Sequence, residues 1–157
     1  MPNAPQLHLR PATLEDAETL LVWRNDSETR RNSRTIDEVA WEGHIMWLQK
    51  TLSGAIPTRM LYIALHDGTP VGTVRSDKGE DDMVELSWTI APSARGKGFG
   101  KVMVTQFAAE IHPGKKLLAS IRKGNIASEK IAQALGLHQA EPEFPDDADE
   151  YPLMLWR

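Results

Sequence analysis

The chain contains no cysteine, which excludes disulfides, thiolate metal sites and a cysteine nucleophile. Its histidines, His8, His44, His66, His112 and His138, are scattered without metal-ligand spacing, so no metal site is expected. No window approaches the roughly 18 consecutive apolar residues of a membrane span, and association with a membrane is not expected. Residues Met1 to Gln6 lack the basic region and apolar stretch of a signal peptide, so a cytoplasmic location is the expectation. The formal charge of -4 argues against general nucleic-acid binding, although basic clusters survive inside that average. No repeat or low-complexity tract is visible. The nearest approach is the acidic loop Asp146 to Glu150, which reads as a solvated turn.

What remains is ordinary globular material. At 157 residues, 41% hydrophobic and 25% charged, the chain is one domain over residues 1–157. Gln6 to Arg10 alternates into a short strand, and Thr13 to Asp16 reads as a capping box for a helix striped by Leu14, Ala17, Leu20 and Leu21. Thr35 to Glu38 repeats the device before a second helix. There Trp41, Ile45, Leu48 and Leu52 take core spacing, and His44 and Trp47 share a neighbouring face. Strands follow at Met60 to Leu65, Val71 to Arg75 and Val84 to Ile90. In the last of these Val84, Leu86, Trp88 and Ile90 share a core face, and Glu85, Ser87 and Thr89 a wet one. A helix carrying Phe99, Met103, Phe107 and Ile111 runs to His112-Pro-Gly114. Leu117 to Ile121 is the next strand, Asn125 to Leu135 the last helix, and strands around Leu137 to Phe144 and Tyr151 to Arg157 close the chain.

The segment Arg95-Gly-Lys-Gly-Phe-Gly-Lys101 feeds a strand into a helix through glycine. Glycine lets successive backbone N–H groups turn inward, the helix N-terminus adds partial positive charge, and Arg95, Lys97 and Lys101 raise the local potential. The arrangement is a cradle for an anion such as a pyrophosphate. Gly96, Gly98 and Gly100 satisfy neither the dinucleotide fingerprint nor the P-loop spacing. Arg95, Gly98 and Gly100 do match an R-x-x-G-x-G signature, and Asn125-Ile-Ala-Ser128 with Ile131 and Gly136-Leu137 follows at the expected distance. Together these resemble the two motif blocks of the GCN5-related N-acetyltransferase (GNAT) family. Taken separately, they also describe a Gly-rich strand-to-helix turn and an Asn-capped helix with a Gly C-cap.

The resemblance implies the α/β (α+β) GNAT fold, a mixed sheet of about seven strands with about four helices in the order βααβββαβαββ. It implies acetyl-CoA (coenzyme A) as cofactor and acetyl transfer to a primary amine by direct attack in a ternary complex. Backbone N–H groups of Lys97, Gly98, Phe99, Gly100 and Lys101 would bind the pyrophosphate, with Gly96 in the same cofactor-binding turn and Arg95 and Arg122 on the 3′-phosphate side. Asn125 would contact the pantetheine arm. Amides of Ile90 and Ala91, just before Pro92, would lie at a bulge where two strands splay, free to polarise the thioester carbonyl; a plain strand terminus is the alternative. Glu85, on the polar face of that strand, matches a common acidic position and would act as base through water, or is a surface glutamate. Many relatives carry a tyrosine acid where this chain has Ala132, which leaves Ser128 as the candidate acid or as a small packing residue.

The family resemblance places acceptor specificity in the first two helices and the loop between them. That region is basic and aromatic here, with Trp23, Arg30, Arg31, His44 and Trp47 as candidate acceptor contacts. It is similar to acetyltransferases acting on a nucleotide-linked 4-amino sugar, where arginines would neutralise the diphosphate and the rings would contact the ligand. The arginines also fit a solvated helix end, with Arg30 paired to Asp26. Three readings stay open: a small-amine acetyltransferase, a peptide N-terminal acetyltransferase, and a coenzyme A-binding regulatory domain without turnover. A monomer or a homodimer is expected.

Overall fold

The computed structural model describes residues 5–146 and 149–157, so Asp147 in the acidic loop and the start of the N-terminal segment lie outside the described residues. Strand β1 is His8–Pro11, followed by a 3-10 turn at Leu14–Asp16 and helices α1 (Ala17–Asn25), α2 (Ser27–Arg31) and α3 (Trp41–Leu52). Strands β2 (Arg59–His66), β3 (Thr69–Lys78) and β4 (Val84–Ile90) lead to α4 (Phe99–Ile111). Then come β5 (Leu117–Arg122), α5 (Ile126–Ala134), β6 (Gln139–Pro142) and β7 (Leu153–Trp156). All seven strands join in the order β1-β2-β3-β4-β5-β7-β6. Among the described residues only β4 and β5 run parallel. This is the expected mixed α+β sheet.

Alternation along the strands assigns the two faces. Helix α4 lies on the face that carries Val74, Val84 and Leu86, burying Met103, Val104 and Phe107 completely. Gly72 permits that approach, because a Cβ there would stand 2.9 Å from the Met103 sulfur, from Ile90 Cδ1 and from the Thr89 carbonyl. Leu61 and Ile63 lie on the opposite face, where α1 and α3 bury Leu20, Trp23 and Leu48. The first turn forms as expected: the Thr13 N–H donates to Asp16 at 2.8 Å, and Arg10 pairs with the same carboxylate at 2.8 Å.

The helices depart from expectation in two ways. Five α-helices are present among the described residues where about four were expected. The additional one, α2, buries nothing and so has no apolar stripe to read; Asp26 caps it by accepting the Thr29 N–H at 3.2 Å. Second, Thr35 to Glu38 caps no helix. Thr35 Oγ1 accepts instead from Arg24 at 3.2 Å, and α3 begins at Trp41 after Ala40. Its buried positions are His44, Leu48 and Thr51, with Trp41 47% exposed. His44 therefore faces the core, where its Nε2 donates to the Ala17 carbonyl at 2.8 Å.

A half-buried histidine ties stability to pH. His112 ends α4 with Nε2 at 2.9 Å from Ser76 Oγ and its ring against Phe107. Burial, then the charges of Lys115 and Lys78, pull its pKa below the ordinary 6.5. The unfolded chain thus takes up a proton that the folded one refuses. Stability is full above pH 6.5 and falls as acid is added, down to the folded pKa, by at most about 1.4 kcal/mol per pH unit. Urea midpoints between pH 7.5 and 5.5 should drop in the native protein, with a shallower drop in His112→Gln.

Candidate active site

Strands β4 and β5 are paired only at Val84–Leu117 and Glu85–Leu118. Beyond Glu85 the two parallel strands diverge. The Ala91 N–H donates to the Val71 carbonyl at 2.8 Å, and the Val84 N–H to the Lys116 carbonyl at 2.8 Å. Antiparallel alternation then points the N–H groups of Trp88 and Ile90 away from β3 and toward the widening gap, without a strand partner. Ala91 was expected to supply a free amide beside Ile90; its N–H is already engaged by β3. The plain strand terminus is replaced by a splay whose inner edge is lined with peptide donors.

The glycine segment stands at the open end of this gap. Gly96 and Gly98 take φ of 77° and 80°, left-handed values that glycine adopts without strain, and Gly98 is the N-cap of α4. Its first-turn N–H groups, from Phe99, Gly100 and Lys101, have no intrahelical acceptor. Gly100 serves packing as well: a Cβ there would lie 2.7 Å from Ile131 Cδ1 and 3.3 Å from Ile90 Cγ1. Lys97 is exposed, and Phe99 is buried against the ring of His66. Arg95 is not a loose cation. It reaches Asp26 at 2.6 Å, Glu28 at 2.7 Å and Thr29 Oγ1 at 3.1 Å, fastening α2 to the cradle. The Arg95 hydrogen bond, ahead of other contributions, holds the Asp26 carboxyl below its ordinary pKa of 3.8. The Asp26–Arg30 pair of the alternative, solvated-helix-end reading is accordingly absent from the described contacts, and Arg30 donates to the Ile36 carbonyl at 2.9 Å.

Across the gap, Asn125 caps α5, its side chain accepting the Ser128 N–H at 3.4 Å. Ser128 Oγ accepts the Trp88 indole N–H at 3.1 Å. A hydroxyl has one donor and two acceptor sites, so with the indole on its oxygen Ser128 keeps its proton to donate. Ala132 is fully buried in the core under β5 and β7. Glu85, at the foot of the splay, pairs with Arg34 at 3.1 Å, and Arg34 also pairs with Glu143.

Four of the five candidate acceptor residues divide between two cavities, and Arg30 lines neither. Trp23, His44 and Trp47 line an apolar cavity of about 310 Å³ between α1, α3 and the sheet, with Arg24, Thr73 and Thr89. The His44 and Trp47 rings stack there with centroids 6.0 Å apart. Arg31 belongs instead to a cleft of about 640 Å³ that it shares with Arg34, Asp37, Arg122, Lys123 and Tyr151. Arg122 staples the cleft, donating to the Ser33 carbonyl at 2.7 Å and the Tyr151 carbonyl at 2.8 Å. That commitment counts against its expected contact with a 3′-phosphate.

Residues 6–138 match the family model described as an acetyltransferase (GNAT) domain. The chain belongs to the GNAT acetyltransferase family. This GNAT chain is an acetyl-CoA-dependent N-acetyltransferase, and the reading without turnover is set aside. Three solved structures show the same fold. A ribosomal-protein-alanine N-acetyltransferase from Brucella melitensis is 23% identical over 95% of this chain and 97% of its own, with a TM-score of 0.73. The protein yncA of Salmonella typhimurium, solved with its cofactor acetyl-CoA, is 17% identical over 96% and 92%, with a TM-score of 0.73. RimL, a ribosomal L7/L12 α-N-protein acetyltransferase in complex with coenzyme A, is 14% identical over 99% and 94%, with a TM-score of 0.76. No curated protein matches the chain in sequence. Among the described residues, no helix of the GNAT chain is long and apolar enough to cross a membrane.

Three residues of the site escaped sequence reasoning. Trp88 reads as core because it alternates with Val84 and Leu86, yet its indole N–H spans the splay to Ser128. Arg34 and Glu143 are far apart in sequence and meet only because β6 folds back beside the α2–α3 segment. A single chain carries no local signal for such a contact.

Proposed function

We propose that the acceptor is a small primary amine that also carries phosphate, with a nucleotide-linked amino sugar as the best representative. The observation that carries this reading is the 640 Å³ cleft, where the cationic side chains Arg31, Arg34 and Lys123 stand beside Tyr151, with Arg122 holding its walls together. Arg31 and Lys123 have no ion-pair partner among the described residues, and guanidinium groups suit phosphate oxygens geometrically. Tyr151 is 54% exposed and offers a ring face to a base or sugar. Two lining residues tie the cleft to the splay: Arg34, which pairs with Glu85, and Gly124, which precedes Asn125 in the chain.

Within this reading the chain's own groups divide the work. Acetyl-CoA supplies the acetyl group as an activated thioester. The α4 amides and the Gly96–Gly98 backbone would hold its pyrophosphate, and the Ile90 N–H would donate to the thioester carbonyl oxygen. Glu85 would take the proton that the acceptor ammonium must shed, through water, before its nitrogen attacks. Ser128, oriented by Trp88, would give its hydroxyl proton to the departing sulfur and regain one from the nitrogen, which sheds its second proton after attack. The Ser128–Ala132 pattern equally suits a peptide N-terminus as acceptor, and this is the second reading.

Acetyl-CoA consumption should be followed with amino sugar nucleotides and with short peptides as acceptors. The expected result is turnover of an amino sugar nucleotide that uridine diphosphate inhibits competitively, more weakly at high salt. Turnover of peptides alone, indifferent to uridine diphosphate, would support the peptide reading instead.

A further inference from the structure

Arg34 stands on the segment between α2 and α3, and its guanidinium lies across the carboxylate assigned as base. Nη2 donates to Glu85 on β4 at 3.1 Å, and Nη1 donates to Glu143 just beyond β6. The same side chain lines the cationic cleft. Its exposure is 47%, against 28% for Glu85 and 18% for Glu143, so the guanidinium is the least embedded member of the trio. The guanidinium engages one oxygen of Glu85 and sets a positive charge against the group to which an acceptor ammonium must come for its proton to be taken.

We propose that Arg34 is a specificity-determining gate: it covers Glu85 until the phosphate of an acceptor draws the guanidinium into the cleft. The inference rests on the reading of Glu85 as base. Arg34 spends one hydrogen bond on each glutamate, whereas a phosphate can take two parallel N–H bonds from one guanidinium and carries more charge. Arg31, Arg122 and Lys123 concentrate an anion beside Arg34. Asp37 also lines the cleft, which favours a ligand bearing an ammonium as well as a phosphate. An amine without an anion has nothing with which to move Arg34, and it meets a covered base.

Phosphoethanolamine and ethanolamine test the gate, because they differ by the phosphate alone. Coenzyme A thiol release is measured for each with the native enzyme and with Arg34→Gln, whose amide keeps a donor but carries no charge. The native enzyme should prefer phosphoethanolamine at least tenfold in kcat/KM. In Arg34→Gln the two rates should converge, the ethanolamine rate rising while the phosphoethanolamine rate falls. A structural role for Arg34 would lower both together, and that outcome or an unchanged ratio overturns the gate. Neither probe contains a nucleotide, so failure of the sugar-nucleotide reading leaves this comparison intact. Should neither amine be consumed, a crystal of the native enzyme soaked in inorganic phosphate decides. Arg34 moved from Glu85 onto a bound phosphate upholds the gate. Arg34 still on Glu85, or a cleft without phosphate, refutes it.

Discussion

Gly98→Val should weaken coenzyme A binding about tenfold while leaving the melting temperature within a few degrees of the native value. Gly98 sits at φ 80° as the N-cap of α4, and a Cβ there would meet nothing within 4 Å. No clash therefore threatens the fold. A valine in the left-handed region costs about 1–2 kcal/mol, which the free loop sheds by rotating, turning its N–H groups out of the cradle. Binding must restore the strained conformation, and about 1.4 kcal/mol is one factor of ten in affinity. Calorimetry with coenzyme A and a thermal melt on the same sample separate the two effects. Gly100→Val is the contrasting control, since its side chain would drive into Ile131 and Ile90 and lower the melting temperature as well. An unchanged affinity in Gly98→Val would move the pyrophosphate away from this turn.

The parts of the fold that local chemistry specifies were readable in the chain. Strand β4 alternates so that Val84 and Leu86 are buried, and the Arg95–Lys101 glycines stand at a strand-to-helix turn as their spacing requires. What escaped depends on partners distant in sequence. Thr35 looks like a helix cap until Arg24 claims its hydroxyl, and Arg95 looks like a phosphate ligand until α2 presents Asp26 and Glu28. His44 reads as lying beside the core stripe until the Ala17 carbonyl gives its ring nitrogen a buried acceptor. In each case a polar side chain could serve several purposes, and the tertiary contact selected one. Ala91 shows the same at the backbone, where the β3 register decides which of two neighbouring amides remains available.

Glu85→Gln should lower kcat by about 10² to 10⁴, the range that a general base contributes, with little change in coenzyme A affinity. Glutamine preserves the shape and can still meet Arg34 through its amide oxygen, so the Arg34–Glu143 arrangement has no reason to collapse. What the substitution removes is the ability to accept a proton. The loss should therefore shrink as pH rises and the acceptor amine deprotonates without help, which a purely structural defect would not reproduce. Ser128→Ala provides the internal comparison. It removes the hydroxyl that Trp88 orients, at a step after nitrogen attack, so its effect should not be rescued by raising pH. Equal pH dependence in the two variants would mean that neither group handles the acceptor's proton. A Glu85→Gln enzyme at native turnover across the range would take this carboxylate out of the proton path and leave the splay and the cradle as the whole of the catalytic device.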